Sequence, residues 1–209
     1  MFIKAIKRLA QAVPIWIVAL LISACGTIAP APVPTVYPVQ PTILPQATVG
    51  SLASITVDQV GVTLLAPTTW KPPAVTSDKR LVLSPDGSTD ISVTSGPFLY
   101  VIADAGSVLA KSLSYTFRPD ITDPALQLDL LLQALNIDAY SFGRGQKYEG
   151  AQYPAAMVTG FARDNQLTLM LMKAGDNRWI FVGAQSPERL YSYYDSVVFT
   201  PAINSIKVK

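Results

Sequence analysis

PAAMVTGFARDNQLTLMLMKAGDNRWIFVGA, residues 154–184, decides the fold. It holds three apolar runs, 154–163, 167–173 and 178–184, separated by Asp164-Asn165 and by Gly175-Asp176-Asn177. Asp and Asn side chains bond the backbone just ahead of them, and glycine tolerates positive φ, so both breaks are turn signals. The spacing predicts a three-stranded meander. In the middle run Leu167, Leu169 and Leu171 alternate with Thr168, Met170 and Met172. Successive strand residues point to opposite faces. Both faces of this run are apolar, so it is expected as a central strand covered on both sides.

Downstream, Ser186-Pro187-Glu188 reads as a helix start, with the serine as cap and the proline in the first turn. Leu190, Tyr193, Tyr194 and Val197 follow at helical spacing, and 205–209 is expected as a short strand or tail. Tyr191, Tyr193 and Tyr194 are expected to anchor that helix on the sheet, a ligand surface being the alternative. Upstream, residues 140–148 predict a strand broken by Gly143-Arg144-Gly145. That GxG has no following helix and no P-loop lysine, so it reads as a bulge or turn, not a phosphate site.

Two helices are expected before that strand. Asp104 is the candidate cap of the first, whose face is Ala105, Val108, Leu109, Ser112, Leu113 and Phe117, with Arg118-Pro119 as its stop. Asp123 caps the second and Pro124 fits its first turn. Leu128, Leu131, Leu132 and Leu135 form its apolar stripe, with Gln127 and Asp129 facing outward. Residues 55–66 predict one or two strands, ended by Pro67 and Trp70. Residues 80–84 and 89–94 flank Pro85-Asp86-Gly87-Ser88, and Asp-Gly between two apolar runs predicts a hairpin. Asp86, Ser88 and Asp90 alternate, but the loop lacks the acidic run and closing glutamate of an EF-hand.

The N-terminus has another character. Lys4, Lys7 and Arg8 precede a short apolar core at 13–21 and the small residues Ser23-Ala24. This is the anatomy of an export signal, too short for a bilayer span of about 20 residues. Ile22-Ser23-Ala24-Cys25 resembles the bacterial lipobox. The resemblance implies a diacylglyceryl group on the Cys25 sulfur and cleavage before it. The expected organisation is a signal peptide at 1–24, a lipidated Cys25 with a tether over 25–54, and one folded domain over 55–209. In the tether Pro30, Pro32, Pro34, Pro38, Pro41 and Pro45 remove amide donors and fix φ, which favours extended polyproline II. Two or three acyl chains on one residue make a stable anchor, where one holds only reversibly.

Composition excludes several chemistries. The 209 residues contain no histidine and a single cysteine, Cys25. Ser-His-Asp and Cys-His catalysis, HExxH zinc sites and intrachain disulfides are therefore closed to this chain. With the leader's three basic residues removed, 13 basic residues face 14 acidic ones, so the mature chain carries a formal charge of −1. That balance gives no electrostatic case for nucleic acid. No cofactor or metal ligand set is expected, and the domain reads as a non-catalytic module for a protein or envelope component. The alternative is a histidine-independent hydrolase of an envelope polymer. Its paired carboxylates, about 5–9.5 Å apart, would come from Asp120, Asp123, Asp138 and Glu149.

The element order carries a family resemblance. Gly61-Val62-Thr63-Leu64-Leu65-Ala66-Pro67 with Trp70 resembles the opening of the PsbP-like fold. Tyr153-Pro154-Ala155-Ala156 resembles that family's G-x-P-A entry into its meander, with Gln152 where the glycine usually sits. Trp179-Ile180-Phe181-Val182, the Pro-Glu helix, Phe199 and Ile203-Asn204-Ser205-Ile206 resemble its close. The resemblance implies an α+β fold, an antiparallel sheet with helices packed on both faces. It carries no functional residue, because the matching positions read as core and turn.

Overall fold

The computed structural model describes residues 49–92, 96–135 and 141–209. In chain order, β1 (Leu52–Val57) and β2 (Val62–Pro67) form one hairpin, β3 (Ala74–Val75) and β4 (Arg80–Leu83) another, and β5 (Phe98–Ile102) follows. Helices α1 (Ala105–Leu113) and α2 (Pro124–Leu135) come next, then the short β6 (Ser141–Phe142) and β7 (Gln146–Tyr148). The meander is β8 (Ala155–Ala162), β9 (Asn165–Lys173) and β10 (Trp179–Pro187). A helical segment of α3 (Glu188–Tyr194), a π-helical turn (Asp195–Phe199) and α4 (Thr200–Ser205) leads into β11 (Lys207–Val208). The larger sheet runs β3-β4-β5-β10-β9-β8-β6, with β7 also paired to β8, and the smaller runs β1-β2-β11. All pairings are antiparallel.

The alternation of β9 divides two cores as expected. Met170 and Met172 join Leu99, Val101, Ile180 and Val182 on one face, under the small sheet and the C-terminal helical segment. Leu167, Leu169 and Leu171 join Trp179 and Phe181 on the other, under α1 and α2. The fold is therefore α+β, with antiparallel sheets and helices on both faces. Tyr191 and Tyr194 are buried in the first core, at 6% and 3% exposure, so they do anchor the helix. Pro201 lacks an amide donor and clashes with a preceding carbonyl, which forces the helix to widen. The Thr200 amide accordingly reaches back five residues to the Asp195 carbonyl.

Several local expectations shift. β1 opens at Leu52 rather than Ile55. Residues 89–92, the described part of the segment after Pro85-Asp86-Gly87-Ser88, do not pair with β4, whose neighbours are β3 and β5. Local bonds take the backbone instead: Asp86 Oδ1 accepts from the Ser88 amide at 3.0 Å, and Asp90 Oδ1 from the Ser92 amide at 2.9 Å. Such side-chain bonds compete with a ladder. Val93, Thr94 and Ser95 lie outside the described residues. Helix α1 ends at Leu113, with Ser114 left-handed at φ 55°, ahead of the expected Arg118-Pro119 stop. The first meander turn is Arg163-Asp164, with Arg163 at φ 54° and Asn165 already in β9. Ser186 stays in β10, fully buried, and α3 begins at Glu188 without a side-chain cap.

Gln127 is the clearest correction. Expected on the outer face of α2, it is fully buried. Its Nε2 donates to the carbonyls of Arg118, at 2.5 Å, and Ile121, at 3.1 Å. The loop between the helices folds beneath α2, and buried carbonyls need donors.

Candidate functional site

The two faces of the large sheet are not equally covered. At about 1.5 Å per residue the nine-residue α1 and twelve-residue α2 span roughly 14 and 18 Å. The nine-residue strands β9 and β10 beneath them span about 30 Å. A cavity of about 260 Å³ lies between Ser112 and Leu113 of α1, Leu135 of α2 and the sheet.

Strand register sets its floor. One row across the sheet reads Val82, Tyr100, Gly183, Leu169 and Val158. The next reads Phe98, Gln185, Leu167 and Gly160. A Cβ on Gly183 would stand 2.2 Å from the Tyr100 ring, and one on Gly160 would stand 2.3 Å from the Phe142 ring. The two glycines thus let aromatic rings lie against the sheet, which a glycine inside a strand often marks. Tyr100 packs at a tilt on Phe181, 6.0 Å between centroids, and on Phe98 at 6.2 Å.

Polar groups sit at the margins. Gln185, 2% exposed, donates from Nε2 to the Ser92 carbonyl at 3.1 Å. Arg80 is the one charged side chain among the described lining residues. Asp78 Oδ2 lies 2.7 Å from Arg80 Nε, yet the buried Nε has no aligned hydrogen-bond acceptor, so the contact is an ion pair without a directed N–H bond.

A larger, more open groove of about 800 Å³ lies between the β1–β2 turn, the β3–β4 turn and the start of α1. Several of the charges around it are already engaged. Asp104 accepts from the Ser107 amide at 3.2 Å, and Lys209 Nζ pairs with Asp58 at 2.6 Å. Arg178 donates to the carbonyls of Ala103 and Lys209.

The sequence-derived candidates fall elsewhere. Cys25 and Asp138 lie outside the described residues. Asp120 pairs with Arg118 at 2.7 Å, and that hydrogen bond holds its carboxyl below the usual range. Asp123 caps α2 by accepting from the Ala125 amide at 2.9 Å. Glu149 pairs with Lys147 at 2.9 Å, which lowers its pKa likewise. No hydrogen bond joins any two of the described carboxylates Asp120, Asp123 and Glu149. A general acid needs the opposite shift.

Sequence reasoning missed Asp195, whose pKa is raised by burial against an opposing bond from Thr200 Oγ1 at 3.2 Å. No second described carboxylate is hydrogen-bonded to it. The Gly145 amide, within the GxG, donates to Asp129 at 2.7 Å, so a carboxylate already occupies it. Among the described residues no group of three or more Cys, Asp or Glu side chains is placed to hold a metal ion. Nor is any described helix long and apolar enough to cross a membrane.

No protein-family model and no curated protein sequence matches the chain. In fold it is similar to the solution structure of cyanobacterial PsbP (CyanoP) from Synechocystis sp. PCC 6803. That match has 13% identity and a TM-score of 0.45, over 78% of this chain and 95% of that one. A protein of unknown function from Pseudomonas aeruginosa, described as a putative regulator, is similar at 8% identity and a TM-score of 0.37. It covers 70% of this chain and 90% of its own. At these identities the likeness concerns fold and not activity.

Proposed function

We propose that the protein is a lipoprotein anchored through Cys25 on the extracytoplasmic face of a cell membrane, and that its folded part is a non-catalytic binding module. The observation that carries the binding reading is the apolar cavity on the α1/α2 face, lined by Tyr100, Leu169 and Phe181. Cavities of this kind, with a few polar groups at the margin, are the usual form of a ligand site. The lipobox resemblance and the proline-rich stretch support the anchor and a spacer. No observation favours the carboxylate hydrolase, since each described candidate is engaged by a cation or a helix amide. The module's partner is a protein or an envelope component.

The anchor is tested by intact mass and membrane partitioning of the native chain beside Cys25→Ala. The wild type should carry acyl mass and sediment with membranes, and the variant should do neither. A soluble, unacylated wild type would remove the anchor from this account.

A further inference from the structure

We infer that the cavity takes a single-tailed amphiphile with a carboxylate head, a medium-chain fatty acid, whose tail lies over Tyr100 and Gly183 and whose head meets Arg80. This rests on the reading of the chain as a binding module and names that module's ligand class. Size comes first. The volume, about 260 Å³, exceeds the roughly 150 Å³ of an apolar cavity that accepts benzene. It falls below the 300–1,000 Å³ range usual for drug-sized ligands. A slender chain fits, and a nucleotide or flavin does not.

The lining then decides polarity. The Tyr100 ring, Leu169, Phe181 and the side-chain-free Gly183 make an apolar floor, while Arg80, Ser112, the Tyr100 hydroxyl and the Gln185 amide supply the polar part of the lining. A ligand with an apolar tail and one polar end matches that division.

The head follows from Arg80. Its guanidinium has five donors in a fork. Asp78 approaches only Nε, no described residue accepts from the Nη groups, and the buried Nε lacks an aligned acceptor. Asp78 does not line the cavity. A carboxylate entering from the cavity meets a planar cation with donors to spare, the geometry that guanidinium–carboxylate pairing uses.

The test is photoaffinity labelling of the full chain in phosphatidylcholine nanodiscs with a diazirine analogue of dodecanoic acid, read by peptide mapping. Label should fall on peptides holding Leu109–Leu113 or Phe142, and dodecanoate should displace it about tenfold better than dodecanol. Arg80→Gln should erase that preference and leave displacement by dodecanol unchanged. Leu113→Trp, at a mouth residue 48% exposed, should cut labelling about fivefold or more while thermal unfolding stays the same. Label mapped away from the cavity overturns the site, and equal displacement by alcohol and acid overturns the carboxylate head. Mapping Cys25→Ala in parallel separates the readings. Retained membrane association of Cys25→Ala with retained labelling refutes the anchor alone, and an anchored chain that takes no label refutes the ligand.

Discussion

The strands β9 and β10 serve two faces with alternate residues, and the faces end differently. On one, Met170, Met172, Ile180 and Val182 meet the small sheet and eighteen residues of continuous helix, 188–205, and the packing closes. Phe199 is fully buried there, stacked 6.0 Å from Tyr194 and tilted against Tyr191 at 5.9 Å. On the other, Tyr100, Gly183 and Leu169 lie under a cavity beside α1 and α2. The same apolar alternation produced both. What separates a sealed core from a candidate site is the cover, not the strand.

The largest expected effect is on the sealed face. Phe199→Ala should cost about 3–5 kcal/mol, because a cavity left in closed packing collapses only in part. Urea denaturation measures it. A loss under about 1 kcal/mol would mean that this face is as loose as the other.

A second effect is a pH dependence. Burial pushes the Tyr191 phenol up to about 12 from 10.0. The folded state therefore holds its proton where the unfolded chain has released it, and stability falls as pH rises from about 10 through 12. The loss across that window is about 2–3 kcal/mol at most, at roughly 1.4 kcal/mol per pKa unit. Tyr191→Phe should flatten that alkaline slope, at a neutral-pH cost of about 1 kcal/mol for the bond with Thr168. An unchanged slope would place the phenol in water.

The smaller effect belongs to the open face. Asp104→Ala removes the cap of α1 and should cost about 1 kcal/mol. It should not change the unfolding cooperativity of the sealed side.

Parts of this comparison were legible in the sequence. The alternation at 167–172 gave β9 its two covered faces, and Asp104 and Asp123 marked the starts of α1 and α2 because an N-cap is a local event. Gln127 was misread because helical periodicity weighs a polar residue as solvent-facing. It has no means of seeing the Arg118 and Ile121 carbonyls that a loop brings beneath the helix. The Asp86-Gly87 turn formed, but its hairpin did not, since Asp86 and Asp90 satisfied the amides that a ladder needed. The cavity was the least legible. Its one sequence mark is a glycine, Gly183, inside an apolar run, and the ring that lies on it, Tyr100, is 83 residues away in the chain. Arg80 gave no signal of its own, being one of many scattered cations.

The most direct measurement compares two additions of volume by urea denaturation. Val198→Phe enlarges a side chain 1% exposed against the sealed face, and Leu109→Phe enlarges one 4% exposed beside the cavity. Overpacking closed structure costs about 1–3 kcal/mol, and volume with somewhere to go costs less. Val198→Phe should destabilise by about 2 kcal/mol more than Leu109→Phe. Equal losses would mean that the two faces are packed alike and that the cavity is not there to fill.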